Sequence, residues 1–458
     1  MSEPTAPASA KAPTGATGRG FARVVGAALA GTTIEFYDFF LYGSAAALVF
    51  HKVFFPAGDP VIGILMALAT YAVGFLARPV GGILFGHLGD RIGRKKTLSL
   101  SLALMGGATV LMGLVPSYDS IGVAAPILLT LLRLVQGVAL GGEWGGAILL
   151  VTEHSPKHRR GFWGAWPQTG GPLGNMVATA VLAVLGVSMT DAEFESWGWR
   201  IAFLLSAVLV LIGLWLRRAV EESPQWLALQ DSGRAHEGHA PLKTVLRDHK
   251  RQVTIAALAN LGEKAAYYSF SIFLLSYFSE QLGLPKSTGL IAVAVGSVFQ
   301  VAAMLVGGHL SDRLGRKKVN LTVAALLLVW GLVGLPLVDT KEMGLIVLAV
   351  SVGLALHGLM CGSQAAFFSE LFPSAVRYTG ASLGYQIATV VGGSAAPLLG
   401  VALMRQTGST WPVGVFLAVA QLCTIAAFLW VGETKDRDPD ATPDSAPAPS
   451  PAPVAGAL

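Results

Sequence analysis

Long apolar segments recur along almost the whole chain, and they restrict it to a small number of folds. A helix needs about 20 apolar residues to cross a bilayer, and only helices and closed barrels satisfy their backbone hydrogen bonds there. Of the 458 residues, 13% are charged, against roughly 25% in soluble domains. The sequence therefore predicts an all-α integral membrane protein. The twelve predicted spans are 22–50, 60–88, 97–115, 121–152, 161–188, 198–218, 251–280, 287–310, 319–338, 343–369, 374–404 and 411–431.

One long polar stretch divides the predicted spans into two sets of six. We predict one six-helix bundle over 21–218, a cytoplasmic connecting loop over 219–250 and a second bundle over 251–431. Residues 1–20 and 432–458, rich in Ala and Pro, are expected to be disordered tails. No apolar region precedes a cleavage site, so we expect the first span to be an uncleaved anchor.

Basic residues alternate between the predicted loops in a way that sets the orientation. With the N-terminus in the cytoplasm, 24 of the 32 Lys and Arg residues lie on the cytoplasmic side and five on the opposite side. This bias predicts that both termini are cytoplasmic. It also explains the net charge of +5 without a nucleic-acid partner. We expect a multi-pass protein of the bacterial inner (plasma) membrane.

Three short motifs occur once in each half of the chain. GHLGDRIGRKK at 86–96 recurs as GHLSDRLGRKK at 308–318, an offset of 222. The spacing E-x2-P-x3-R occurs at 153–160 and 370–377, and a Gly-containing pattern at 136–141 aligns with 357–362. Matches in one order at nearly constant offset indicate two homologous bundles. Transporters built this way bind substrate between the repeats and rock one against the other.

From 22 to 431 the sequence resembles the major facilitator superfamily, and within it the metabolite:proton symporter branch, which includes shikimate, oxoglutarate, citrate and proline/betaine carriers. The motifs that carry the resemblance are GTTIEFYDFFLYG (31–43), ARPVGGILFGHLGDRIGRKK (77–96), RLVQGVALGGEWGGA (133–147), SWGWRIAFLLS (196–206) and ELFPSAVRYTGASLGYQ (370–386). It implies two pseudo-symmetric six-helix bundles and alternating access by a rocker-switch movement. Our hypothesis is proton-coupled symport of a small polar metabolite, with an organic acid favoured.

Two carboxylates near the middle of the first span are the candidates for proton coupling. Gly31, Glu35, Asp38 and Tyr42 are spaced i, i+4, i+7 and i+11 and share one helix face. Two carboxylates in a low dielectric repel each other, which favours a proton on one of them. We place Asp38 first because it lies deeper in the span. Alternatively, both carboxylates are structural and are neutralised by arginines.

Arg133, within the fourth span, could bind a substrate carboxylate with two hydrogen bonds. It could instead hold Glu35 or Asp38 in the charged form. These two interpretations can be one mechanism, in which protonation of the carboxylate frees the arginine for the substrate. Arg78 precedes Pro79 in the second span, and its family context favours a place in the cavity.

Further polar residues within the spans are candidates for substrate contact, and each would also suit ordinary packing. Glu143 lies between glycines. Glu263 matches Glu35 by the repeat, and its neighbour Lys264 should point about 100° away from it, so that the two cannot form an ideal pair. The remaining candidates are Tyr42, Gln168, Tyr267, His357, Gln364 and Gln386.

The repeated basic motif is expected to form a cytoplasmic gate, as the family resemblance implies. In one half Asp90 would face the start of span 11, where the helix dipole favours an anion, and Arg94 would pair with Glu153. By pseudo-symmetry Asp312 would face the start of span 5 and Arg316 would pair with Glu370. Arg160 and Arg377 would complete the two clusters. Alternatively, the motif is a topology signal alone.

No motif of an enzyme or of a metal centre is apparent. Cys361 and Cys423 lie in separate apolar segments and suggest neither a disulfide nor a metal site. We therefore predict no catalytic residues, no metal and no cofactor besides the coupling proton. The expected partners are a small-molecule substrate and the lipid bilayer, with a monomer as the functional unit. An uncoupled facilitator or exporter stays open as an alternative; a membrane sensor is disfavoured because the tails are short.

Overall fold

The protein was analysed as a computed structural model. The structure describes residues 19–56, 59–92, 94–141, 148, 151–152, 155–218, 241–373, 376–435 and 437.

Long helices make up both halves of the described chain. The N half contains α1 (Arg19–Ala45, extended by Ala46–Phe50 and His51–Val53), α2 (Pro60–Ile92), α3 (Arg94–Leu114), α4 (Ala124–Gly141), α5 (Arg160–Gln168 and Gly170–Ser188) and α6 (Trp199–Arg218). The C half contains α7 (Lys250–Tyr268, extended by Ser269–Phe273 and Leu274–Glu280), α8 (Lys286–Leu314), α9 (Arg316–Leu337), α10 (Met343–Leu371), α11 (Arg377–Ala388, Thr389–Ser394 and Ala395–Thr407) and α12 (Trp411–Trp430).

Ten helices of the described chain are long and apolar enough to cross a membrane. They correspond to α2–α6 and α8–α12. The predicted first and seventh spans coincide with α1 and α7, which carry the buried acidic residues Glu35, Asp38 and Glu263. Those charges reduce the apolar character of both helices, so their place in the membrane remains a prediction.

The two halves pack their helices in the same pairs. In the N half α1 packs on α5, α2 on α4 and α3 on α6; in the C half α7 packs on α11, α8 on α10 and α9 on α12. The halves meet where α5 packs on α8 and α2 packs on α11. Each half thus repeats one arrangement, and the contact between them brings α1, α2 and α5 toward α11.

Wider π-helical turns interrupt three of the helices at the contact between the halves. They lie at Ala46–Phe50 in α1, at Ser269–Phe273 in α7 and at Thr389–Ser394 in α11. Such turns often mark functional positions in helices. The turns in α1 and α7 occupy equivalent places in the repeat, and that in α11 falls within the Gly-rich run that precedes Pro397.

The structure differs from the prediction in two segments, one within the predicted connecting loop and one at the start of the predicted disordered C-terminal tail. Pro241–Asp248, within the predicted connecting loop, forms a helix whose Val245 is fully buried. Beyond α12, Thr434 is 1% exposed, so the described chain stays packed past residue 432. In both cases an apolar or hydrogen-bonding residue inside a polar stretch finds a tertiary partner.

Candidate functional site

Arg133 lies at the centre of the N half with its side chain fully buried among aromatic rings. Its Cζ is 4.2 Å from the ring centroid of Phe39, 4.4 Å from that of Tyr42 and 4.6 Å from that of Tyr71. Nη1 donates a hydrogen bond to Oε1 of Gln136. Within the described part of the chain, Nε and Nη2 have no hydrogen-bond partner. The rings stabilise the cation through cation–π contacts and leave two N–H groups for another acceptor.

Asp38 is fully buried beside α6 rather than in the space between the halves. Its Oδ1 accepts a hydrogen bond from the hydroxyl of Ser206, and Oδ2 has no hydrogen-bond partner among the described residues. The structure joins Asp38 to Arg133 indirectly: the amide nitrogen of Gln136 donates to the backbone oxygen of Asp38 at 3.3 Å and to Thr109 Oγ1 at 2.9 Å. Packing of α1 against both α5 and α6 thus turns Asp38 toward the interior of the N half.

A cavity lies between the halves where α1, α2 and α5 approach α11. It brings together four residues predicted from sequence as site residues: Glu35, Arg78, Gln168 and Gln386. Tyr385 also lines it. Glu35 and Asp38, predicted to share one face, are therefore separated, because the offset of about 60° between them around the helix turns them toward different neighbours.

Arg78 and Arg133 lie on two sides of one aromatic ring. The Arg78 Cζ is 4.1 Å and the Arg133 Cζ 4.2 Å from the centroid of Phe39. Arg78 is part of the described cavity wall, whereas Arg133 is enclosed behind Phe39. The hypothesis that Arg133 contacts substrate directly stays a prediction, and in this arrangement Phe39 lies between it and the described cavity. Tyr42 is likewise enclosed, with its hydroxyl 2.6 Å from Thr70 Oγ1.

The C half holds a network of buried polar residues around Glu263. Glu263 Oε1 is bonded to His357 Nε2, and His357 Nδ1 lies 2.6 Å from Gln300 Nε2. Lys264 Nζ is 2.9 Å from Glu263 Oε2 and 3.1 Å from Tyr385 Oη. The two residues therefore form an ion pair, because the flexible lysine stem bends back toward its neighbour, but it is not an ideal one: among the described residues Glu263 Oε2 has no hydrogen-bond donor in line with it. Through Tyr385 this network reaches the cavity.

Glu263, His357 and Cys361 bring three buried metal-ligating atoms within 4.8 Å of one another. By donor type they could hold a zinc-like cation. However, the carboxylate is already paired with the Lys264 ammonium and the imidazole is bonded on both nitrogens. The described contacts fit a hydrogen-bonded ion pair, and we assign no metal to it.

The other predicted substrate residues of the C half divide between interface and interior. The Tyr267 ring packs against Phe40 of the N half, 5.1 Å between centroids, and against His357, 5.0 Å. Gln386 Nε2 lies 3.4 Å from the backbone oxygen of Gly141 in the N half. Gln364 instead donates to the Ala259 backbone oxygen at 3.0 Å, inside the C half. Its amide is therefore used to hold α10 against α7.

At the end of the bundle that carries 308–318, here called the motif end, Asp312 joins the two halves. Its two carboxylate oxygens accept from the backbone N–H groups of Gly161 and Phe162, each at 2.8 Å, at the N-terminus of α5. The helix dipole favours an anion there. Gly161 and Gly308 permit this approach, since a Cβ on either would lie 2.5 Å from the other's backbone oxygen.

Arg316 connects Asp312 to the rest of the C half. Its Nη1 lies 2.7 Å from Asp312 Oδ1, and its Nη2 and Nε donate to Glu370 Oε1 and Oε2 at 2.9 and 3.2 Å. Glu370 also accepts from the Thr434 hydroxyl at 3.0 Å. Arg377 Nε donates to the Phe372 backbone oxygen at 3.3 Å. Arg160 begins α5 beside this cluster.

Four predicted residues lie outside the described positions or side chains. Asp90 and Arg94 belong to described helices, but their side chains are outside the described set, as are Glu143 and Glu153. The N-half copy of the motif cluster is therefore still an expectation from sequence.

At the opposite end, the halves are joined by residues that the sequence analysis did not single out. His51 Nε2 at the end of α1 is 3.5 Å from Glu280 Oε1 at the end of α7. Arg405 of α11 forms an ion pair with Asp59, which precedes α2. The halves thus meet at both ends, with the cavity between them.

Several residues of the central networks were not predicted as site residues, among them Gln136, Lys264 and Tyr385. A signal for Gln136 existed, because the repeat aligns it with His357, which was a candidate. Tyr385 carries no motif of its own, and its role follows from the way α11 faces α7.

The family model of the Major Facilitator Superfamily matches residues 28–385. An inner membrane metabolite transport protein, YhjE, of Escherichia coli (strain K12) is 40% identical over 90% of this chain and 94% of the relative. The shikimate transporter of the same strain is 39% identical over 87% of this chain and 91% of its own length. A proline/betaine transporter of that strain is 32% identical, covering 91% and 84%.

Among solved structures, the fold is similar to that of the E. coli xylose transporter XylE in a partially occluded inward-open conformation. The TM-score is 0.71 at 17% identity, covering 91% of this chain and 99% of XylE. At this identity the likeness concerns the fold.

Proposed function

The chain belongs to the major facilitator superfamily of membrane transporters, and we propose that it is a proton-coupled symporter that carries a small organic acid across the bacterial inner membrane. The relatives transport metabolites according to their names, and they are not enzymes.

The single observation that carries proton coupling is the environment of Asp38. A buried carboxylate is costly in the charged form unless it is paired with a cation. Asp38 is fully buried, and in the described part of the chain its neighbours are the uncharged hydroxyls of Ser206 and Thr109 and, through its backbone, Gln136. A group in this environment suits reversible protonation, which a coupling site requires.

The cavity supports an anionic substrate. Arg78 lines it, with Nε and Nη2 lacking hydrogen-bond partners among the described residues, and an arginine can hold a carboxylate through two hydrogen bonds. Gln168, Gln386 and Tyr385 add groups that could bond substrate hydroxyls. Shikimate, the cargo named for one relative, combines a carboxylate with hydroxyls and is our first probe.

The movement we propose is a rocker switch with the motif end facing the cytoplasm. The placement of 24 basic residues against five supports this orientation. Asp312, Arg316 and Glu370 would close the cytoplasmic side and separate when it opens. His51, Glu280, Asp59 and Arg405 would do the same on the periplasmic side, in a monomeric carrier with twelve spans.

Reconstitution tests the proposal. Purified protein in proteoliposomes should accumulate labelled shikimate when the outside is acidified, and glycine betaine serves as a zwitterionic comparison. Asp38→Asn should abolish uphill accumulation while sparing exchange, whereas the exposed Asp119→Asn should behave as wild type. Uptake that ignores the pH gradient would instead support an uncoupled facilitator or exporter.

A further inference from the structure

Gln136 lies between the proposed proton site and the buried arginine. We propose that it is a positioning residue that couples protonation of Asp38 to the guanidinium of Arg133. The inference rests on the proposed function and adds to it the physical connection between proton and substrate.

The carbonyl side of the Gln136 amide points at Arg133. Arg133 Nη1 donates a hydrogen bond to the Gln136 carbonyl oxygen, Oε1. The other described contacts of the guanidinium are with aromatic rings. Gln136 is fully buried. Because a buried guanidinium needs acceptors, this carbonyl determines where the remaining N–H groups of Arg133 point.

The nitrogen side of the same amide points at α3 and α1. It donates to Thr109 Oγ1 at 2.9 Å and to the Asp38 backbone oxygen at 3.3 Å. Because one amide serves both sides, a movement of the Asp38 backbone on protonation would also move the carbonyl that holds Arg133.

The groups around Asp38 leave few other routes for coupling to Arg133. Thr109 from α3 and Ser206 from α6, whose hydroxyls face the Asp38 carboxylate, are not titratable. On the same helix, Tyr37 is a titratable neighbour of Asp38. The Tyr37 hydroxyl donates a hydrogen bond to the Ala202 backbone oxygen at 2.7 Å. On α4, Gln136 is the residue that contacts Asp38. The route then continues through Arg133 and Phe39 to Arg78 at the cavity.

In the C half, a buried polar residue that connects two neighbours, here called a polar hub, lies at the position equivalent to Gln136. His357, aligned with Gln136 by the repeat, connects Glu263 on α7 with Gln300 on α8. Each hub is followed by a glycine, and a Cβ on Gly137 would meet the Gly74 backbone oxygen as one on Gly358 would meet that of Gln300. The close helix approach fixes both hubs, which supports a positioning role over a chance contact.

A double-mutant cycle on Asp38 titration, read by infrared spectroscopy of the full-length protein in lipid, tests the coupling without a known substrate. The carbonyl band of protonated Asp38 is identified by its loss in Asp38→Asn. Arg133→Met should shift the midpoint of this band by about one pH unit, as residues that share one hydrogen-bond network do. In the Gln136→Met background the same substitution should shift it far less. Gln136→Asn, with the same amide on a shorter stem, should act like Gln136→Met and replaces it if that variant does not fold.

Gln421→Met is the matched control, since Gln421 is a buried amide on α12 that donates to the Gly262 backbone oxygen at 2.8 Å; the Arg133→Met shift should persist with it. Equal shifts with and without Gln136 would overturn the inference, because they would show coupling through space. So would no shift in either background. If no band depends on Asp38, the proposed proton site fails as well, which separates the two failures.

Discussion

The guanidinium of Arg316 donates to both carboxylate oxygens of Glu370, at 2.9 and 3.2 Å, and its side chain is 1% exposed. Removing Glu370 leaves this buried guanidinium with the carboxylate of Asp312, 2.7 Å from Nη1, as its remaining anionic partner. We therefore expect Glu370→Ala to lower the free energy of unfolding by about 3 kcal/mol, the lower end of the range for breaking a buried pair, measured by unfolding of the purified protein in detergent.

The double substitution Arg316→Met and Glu370→Met provides the control. It removes both charges of the pair and keeps most of the volume, so it should be more stable than Glu370→Ala. If the double variant loses as much free energy of unfolding as Arg316→Met and Glu370→Met lose together, the two residues do not form a specific ion pair.

Asp312 joins the halves at the motif end through the N-terminus of α5. Asp312→Asn removes the charge that the helix dipole favours, so this end should open more often and transport should slow without loss of substrate binding. Spin labels at the exposed positions Lys96 and Lys318, one in each half, should report a larger population of long distances. The exposed Asp248→Asn should leave the distances unchanged; loss of binding in Asp312→Asn with normal folding would contradict a gate.

Arg133 makes cation–π contacts with three rings. Arg133→Lys keeps the charge but loses the fork of donors and the stacking geometry. We expect the KM for the transported acid to rise about tenfold, equivalent to about 1.4 kcal/mol, with a smaller change in kcat. Arg200→Lys is the matched control, since Arg200 also stacks on a ring, that of Trp199. An unchanged KM in Arg133→Lys would remove the guanidinium geometry from the mechanism.

Glu433, just past α12, caps the start of α9. Burial acts to raise the pKa of its carboxyl, but hydrogen bonds from the backbone N–H groups of Lys435, Arg316, Lys317 and Thr434 outweigh it and hold the pKa below its usual value. A lowered folded-state pKa stabilises the protein above the unfolded-state pKa, about 4.3, and this contribution is lost as the pH falls through the folded-state value.

Glu433→Gln should therefore melt at a lower temperature than wild type at pH 7. The gap between the two melting temperatures should close as the pH is lowered from about 5 to 3, because the wild-type carboxylate becomes protonated in that range. Glu342→Gln, at an exposed glutamate, should show no such gap. A gap that is constant with pH would mean that the carboxylate charge is not what stabilises this contact.

Much of the architecture was predictable because it follows from local pattern. The apolar segments located ten helices among the described residues that are long and apolar enough to cross a membrane, and the repeat anticipated that the two halves would pair their helices alike. The proximity of Asp312 to α5, and of Arg316 to Glu370, was also expected, because the family resemblance and the repeat implied these contacts. The first residues after α12 were not, because Thr434 and Glu433 become ordered only against α9 and α10.

By itself the sequence determined the membrane class, the two-fold repeat and the residue types that bear charge within the spans, because length, composition and spacing are local properties. Tertiary structure decided the allocation of those charges: Arg78 to the cavity and Arg133 behind Phe39, Glu35 to the cavity and Asp38 to the bundle interior. Helices that are buried on most sides have no single polar face, so their rotation is set by packing between helices. That packing also brought Gln136 between Asp38 and Arg133, a relationship that no spacing along α4 alone could reveal.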